Sequence, residues 1–179
     1  SNGNISFTIN NLSANTHTIM LTVTDGTGLT TTNTFSLVIN TAPTAPSVTV
    51  SPSVAKTADN LLVTATGSTD ADGDAVNYTY QWLQNGALTS NATISISPSQ
   101  TTKGDLWTAR VTPSDGTHDG PYVEVSLLIE NTAPVISNTA IAPNSPSSSE
   151  LLTCSVTSSD ADSDPLSTMY TWSNETTGQ

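Results

Sequence analysis

LLVTATGSTDADGDAVNYTYQW, residues Leu61 to Trp82, decides the fold, because it returns ninety residues later as LLTCSVTSSDADSDPLSTMYTW, Leu151 to Trp172, with no gap needed to align the two. A second pair keeps the same period. Asp25 and Gly26 of VTDGTG stand ninety residues before Asp115 and Gly116 of PSDGTH, and each is followed by an apolar run ending in NTAP, at Asn40–Pro43 and at Asn131–Pro134. Self-similarity at a fixed spacing is the signature of a repeat architecture. Residues 1–40 match only the second half of the repeat, 41–131 form one complete copy, and 132–179 match only the first half.

Within the complete copy, short runs alternate between apolar and polar residues, the period of a half-buried strand. The runs are SVTV from Ser47, LLVTAT from Leu61, YTYQWL from Tyr78, TISI from Thr93, LWTARVT from Leu106 and YVEVSLLI from Tyr122, with a short seventh near Ala87 and Leu88. Between them lie GSTDADGD, QNG, SPSQTTKGD and PSDGTHDG, rich in residues that accept tight or left-handed backbone. Ser and Thr supply much of the remainder, and β-branched Thr suits the solvent face of a strand. The expected fold is all-β, with tandem immunoglobulin-like β-sandwich repeats of about 90 residues. Trp82 and Trp172 share one repeat position, on the strand that carries a core Trp in such sandwiches, and Trp107 alternates with Ala109 and Val111. All three rings are expected inside.

The segments GSTDADGDAVNYTYQW, KGDLWTARVTPSDGTHDG and ENTAP resemble the immunoglobulin-like and PKD-like repeats found in tandem in very large surface proteins of bacteria and archaea. The resemblance spans the whole chain. It implies an extracellular or cell-surface setting and a mechanical or adhesive role.

Composition narrows the partners. Hydrophobic residues make up 35% of the chain and charged ones 10%, which is enough apolar content for a core and too little charge for an acidic disordered tail. A formal charge of −12 repels phosphate backbones, so nucleic acid is not an expected partner. No run approaches the roughly 18 apolar residues of a membrane span, and no signal peptide is visible. The chain starts at Ser1 rather than Met and stops just after a strand, so it is expected to be a window on a longer polypeptide. Half a sandwich cannot bury a core. The flanking halves therefore call for neighbouring repeats or for other copies of the chain that complete them by strand complementation.

The feature with the most chemistry is a carboxylate triplet, Asp70, Asp72 and Asp74, which recurs as Asp160, Asp162 and Asp164. Alternate carboxylates in a tight loop can converge on one hard cation, and Ca²⁺ takes six to eight oxygens. The loop is not an EF-hand: Gly73 comes fourth rather than sixth, and Gln81 stands where the closing Glu belongs. In an immunoglobulin topology this loop shares a pole with the last hairpin loop, which carries Asp115, His118 and Asp119. That pole faces the preceding module through its NTAP linker. Ca²⁺ bound by Asp70, Asp72, Asp74, Asp115 and Asp119, and again by Asp160, Asp162 and Asp164, would stiffen the joint between repeats; the plain alternative is that Asp and Gly only shape solvated turns.

Other motifs carry less. N-glycosylation sequons occur at Asn4, Asn11, Asn77, Asn91 and Asn174, a number that chance alone supplies in a chain this rich in Ser and Thr. Cys154 is the single cysteine and aligns with Thr64. The two histidines, His17 at the position of Trp107 and His118 in an acidic loop, make no hydrolase triad. Ser53 and Lys56 spell S-x-x-K in a loop, without the helix start that catalytic versions need. An enzyme is not expected. Two roles compete: a structural module of an adhesin, stalk or filament, and a glycan- or protein-binding accessory module of a secreted enzyme. A binder would show aromatic or Arg residues outside the repeat framework. None is seen, which favours the structural role.

Overall fold

A computed structural model describes residues 12, 13 and 15–173. The chain is all-β, with one 3₁₀ turn at Pro98–Gln100 among the described residues. The strands are β1 (Asn15–Thr24), β2 (Thr30–Ile39), β3 (Ser47–Ser51), β4 (Ala55–Lys56), β5 (Leu61–Thr66), β6 (Asn77–Gln84), β7 (Ala87–Leu88), β8 (Ser95–Ile96), β9 (Leu106–Ser114), β10 (Val123–Glu130), β11 (Val135–Ala142) and β12 (Thr153–Ser159). They form four sheets: β1-β2, β3-β5-β8, β4-β10-β9-β6-β7 and β11-β12.

The three- and five-stranded sheets share one core. Alternation puts Leu61 and Val63 of β5 on one wall and Trp82, Trp107, Ala109, Val111, Leu127 and Ile129 on the other, with Ile96 and Ala55 closing the ends. Trp82 and Trp107 meet edge to face with centroids 6.2 Å apart, the arrangement the ring quadrupoles prefer. Trp82 Nε1 donates to the Thr93 carbonyl at 2.9 Å. Asp105 ties the far end together, accepting from Gln84 Nε2, Asn85 Nδ2 and the Thr102 N–H. Two segments differ from the sequence expectation. Of TISI only Ser95–Ile96 is strand, and Ala55–Lys56, expected in a loop, runs parallel to Ile129–Glu130 at the edge of the larger sheet.

The flanking pairs are two-stranded. β1 and β2 form a ten-pair antiparallel hairpin from Asn15↔Ile39 to Thr24↔Thr30. His17 is half-buried there, and its Nε2 donates to the Ser13 carbonyl. β11 pairs with β12 through a bulge at Ser137. Pairing registers correct one detail of the alignment. β3 and β5 match Val50 with Val63, while β11 and β12 match Ile141 with Cys154, so Cys154 occupies the place of Val63 rather than that of Thr64. A one-residue slip exchanges the two faces of a strand, and Cys154 is accordingly half-buried where Thr64 is exposed. Trp172 also departs from expectation: it is 55% exposed, against 0% for Trp82. Trp82 is covered because β6 pairs with β9; residues 163–173 pair with no strand among the described residues.

Candidate metal centre

Each acidic loop is shaped by its first carboxylate. Asp70 Oδ1 accepts from the Asp72 and Asp74 N–H groups at 2.8 and 3.2 Å, and Asp160 Oδ1 accepts from Asp162 and Asp164 at 2.8 and 3.1 Å. The shared geometry follows from D-x-D-x-D, since a short side chain can reach the amides two and four residues on. At the fourth position the backbone turns left-handed, with φ of +82° at Gly73 and +61° at Ser163. Glycine adopts that region freely; serine at the equivalent place does so at a cost.

The loops bring the carboxylates together. One oxygen from each of Asp70, Asp72 and Asp74 lies within 4.8 Å of the others, and Asp160, Asp162 and Asp164 do the same. Asp70 Oδ2, Asp72 Oδ1 and Asp160 Oδ2 are buried and have no hydrogen-bond partner among the described residues. Three carboxylates at such spacing repel unless something positive neutralises them.

The linkers close over both loops. Thr41 N–H donates to Asp72 Oδ2 at 2.7 Å, and Thr132 N–H donates to Asp162 Oδ2 at 2.6 Å, so the Thr of each NTAP segment makes the same contact. Thr44 adds a pair of bonds to Thr69. The hairpin loop after β9 grips the first linker from the other side, where Asn40 Nδ2 donates to Asp115 Oδ2 and to His118 Nδ1, each at 2.8 Å. Gly120 is required at that contact. A Cβ there would stand 2.2 Å from the Pro43 carbonyl oxygen.

Asp115 and Asp119 stand outside the triplet of converging oxygens. Asp115 instead accepts from the Thr117 and His118 N–H groups and from Asn40, and those bonds, the His118 amide foremost, hold its carboxyl below the ordinary value of 3.8. Asp25 does the same work in the first hairpin, its carboxyl lowered chiefly by the Thr27 hydroxyl. Asp119 bridges to Ser114 across the loop.

The second triplet has contacts that sequence reasoning missed. Thr57 Oγ1 donates to Asp162, and Lys103 pairs with Asp164. Thr57 and Lys103 sit at the pole of the central unit opposite Asp70–Asp74, in turns next to β4 and β9. The Thr57 hydroxyl is the main cause that lowers the Asp162 carboxyl, and Asp164 is the main cause that raises Lys103. The repeat spacing could have pointed to this pole, since the second acidic loop would face whatever ends the unit before it.

No protein-family model matches the chain, and no curated protein or solved structure is significantly similar to it. The site therefore rests on its own chemistry.

Carboxylate oxygens are hard ligands, so a cation that either triplet could hold is a hard one of the Ca²⁺ or Mg²⁺ kind. Of the sequons, Asn77 is exposed on β6 and Asn91 is half-buried beside Gln100; Asn4, Asn11 and Asn174 lie outside the described residues. Among the described residues no helix is long and apolar enough to cross a membrane.

Proposed function

We propose that the chain is a load-bearing segment of an extracellular or cell-surface protein, an adhesin stalk or filament, made of tandem immunoglobulin-like, PKD-like sandwich repeats whose joints bind Ca²⁺. The observation that carries this reading is the duplicated contact between linker and acidic loop, Thr41 on Asp72 and Thr132 on Asp162. A cation held by each triplet would be tied, through that amide, to the strand entering the unit. The joint would then resist bending.

Strand order supports the immunoglobulin part. A sheet of β3, β5 and β8 facing one in which the last two strands, β9 and β10, pair as a hairpin beside β6 resembles the layout of that sandwich. Neighbouring repeats or other copies of the chain are the partners this role requires.

The test is a thermal melt of the 179-residue chain in a few millimolar Ca²⁺ and in chelator. Extracellular Ca²⁺ modules bind at roughly 10⁻⁴ to 10⁻³ M. Ca²⁺ at about ten times Kd contributes about 1.4 kcal/mol per site, a rise of several degrees in Tm. The rise should shrink when Asp70 and Asp72 are both changed to Asn, and vanish when Asp160 and Asp162 are changed to Asn as well. No shift, or a shift that survives all four changes, overturns the calcium joint.

A further inference from the structure

Lys103 is a departure from the repeat, since Ser13 stands ninety residues before it. Its turn is fixed to the central unit. Asp105 closes the turn, its carboxylate accepting from the Thr102 N–H and its own N–H donating to the Thr102 carbonyl, while the Gly104 N–H donates to the carbonyl of buried Ile129. The Thr101 hydroxyl lies 3.3 Å from the Thr57 carbonyl oxygen, which brings the turn that carries Thr57 alongside.

Both turns reach across the joint to the loop of Asp160, Asp162 and Asp164. Thr57 Oγ1 donates to Asp162 Oδ1 and the Thr132 N–H donates to Asp162 Oδ2, so both oxygens of that carboxylate already accept from protein donors. Lys103 Nζ donates to Asp164 Oδ1. Asp160 Oδ1 accepts from the Asp162 and Asp164 amides, while its Oδ2 is buried with no partner among the described residues. The ammonium responds to the whole triplet: the bond to Asp164 foremost raises Lys103, and the charges of Asp162 and Asp160 act in the same direction. A divalent ion drawing on all three converging carboxylates either takes Asp164 from Lys103 or stands beside its positive charge.

We infer that Lys103 is a tethered counter-cation of the Asp160–Asp162–Asp164 loop, which a divalent ion displaces from Asp164 in order to bind. The joint after the central unit is then held by the protein's own charge when the ion is scarce, and it takes up the ion more weakly than the same loop would without Lys103. This inference rests on the calcium reading above and assigns the regulation of one of its two sites.

The side chains of Lys103 and Asp164 are 35% and 36% exposed, so solvent screens the pair and bounds the effect. A Ca²⁺ titration of the 179-residue chain, followed by amide shifts in ¹H–¹⁵N spectra, reads both loops at once: Asp72 and Asp74 report one, Asp162 and Asp164 the other. Lys103→Met keeps an aliphatic stem and removes the charge. It should tighten Ca²⁺ binding at the Asp160–Asp164 loop by about threefold to fivefold and leave the Asp70–Asp74 loop unchanged. Lys103→Arg keeps the charge and should not tighten it. If the Asp160–Asp164 loop binds no more tightly in Lys103→Met than in wild type, or if the other loop tightens equally, the proposal is overturned and the calcium reading stands. No Ca²⁺-dependent shift at either loop, in wild type or variant, overturns the calcium reading itself and this proposal with it.

Discussion

Trp82 and Trp107 touch each other in one core, yet their indole N–H groups fare differently. Trp82 Nε1 has the Thr93 carbonyl, whereas Trp107 Nε1 is buried without a partner among the described residues. A net hydrogen bond contributes about 0.5–1.5 kcal/mol, and an orphaned buried donor costs about 1–3 kcal/mol. Replacing either ring with Phe opens a similar space, but at Trp107 the change also removes the orphan. We expect Trp82→Phe to destabilise the central unit by about 1–2 kcal/mol more than Trp107→Phe, read from urea midpoints; equal losses would contradict this account. Alternation in LWTARV was enough to place Trp107 inside, because strand period is a local property. Which indole finds an acceptor was not legible, because Thr93 reaches Trp82 only once β8 has joined the other sheet. Lys103 is a similar case: nothing within its own turn, SPSQTTKGD, indicates that its partner is Asp164, sixty-one residues on.

At the scale of elements, the linker and the hairpin loop after β9 behave as one piece. Pro43 is fully buried, and Gly120 lies against its carbonyl with no room for a side chain. We expect Gly120→Ala to cost about 2 kcal/mol, in the range of overpacking, and to free the Asn40 contacts with Asp115 and His118. Urea unfolding measures the first effect, and amide exchange at Thr41 the second; an unchanged protection at Thr41 would show that the loop does not hold the linker. The strand positions of β3, β5, β6, β9 and β10 were readable from apolar alternation, while the short β7 was expected near Ala87 and Leu88 only as a seventh strand that the sandwich layout allows. β4 was not. Two residues offer no period, and Ala55 is buried only because the start of the chain's central unit crosses to the edge of the larger sheet beside β10. Cys154 shows the same limit, since alignment by residue identity cannot detect a slip of one residue that strand pairing makes plain.

The molecule as a whole carries a net −12, and several of those charges accept hydrogen bonds that favour the ionised form. Asp25, Asp115 and Asp162 all have carboxyls lowered by hydrogen bonds to them as anions. A carboxyl depressed in the folded state contributes stability that is present above its unfolded value and lost as pH falls through the folded one. Lys103 is raised, so its contribution is present below its ordinary 10.5 and lost as pH rises beyond. The chain should therefore hold its stability across neutral pH and lose it below about pH 4, with Asp115→Asn flattening the acid limb of a Tm-against-pH curve. An acid limb unaffected by that change would place the loss elsewhere. The sequence by itself determined the strand class, the ninety-residue period and the two acidic loops, because alternation, repetition and turn chemistry all act over short stretches of chain. Only the tertiary structure decided which oxygens converge, that Asp115 holds a linker while Asp72 and Asp162 meet the NTAP amides, and that Trp172 stands open where Trp82 is closed. Those outcomes depend on contacts between elements distant in sequence, and such contacts leave no periodic trace in the residues that make them.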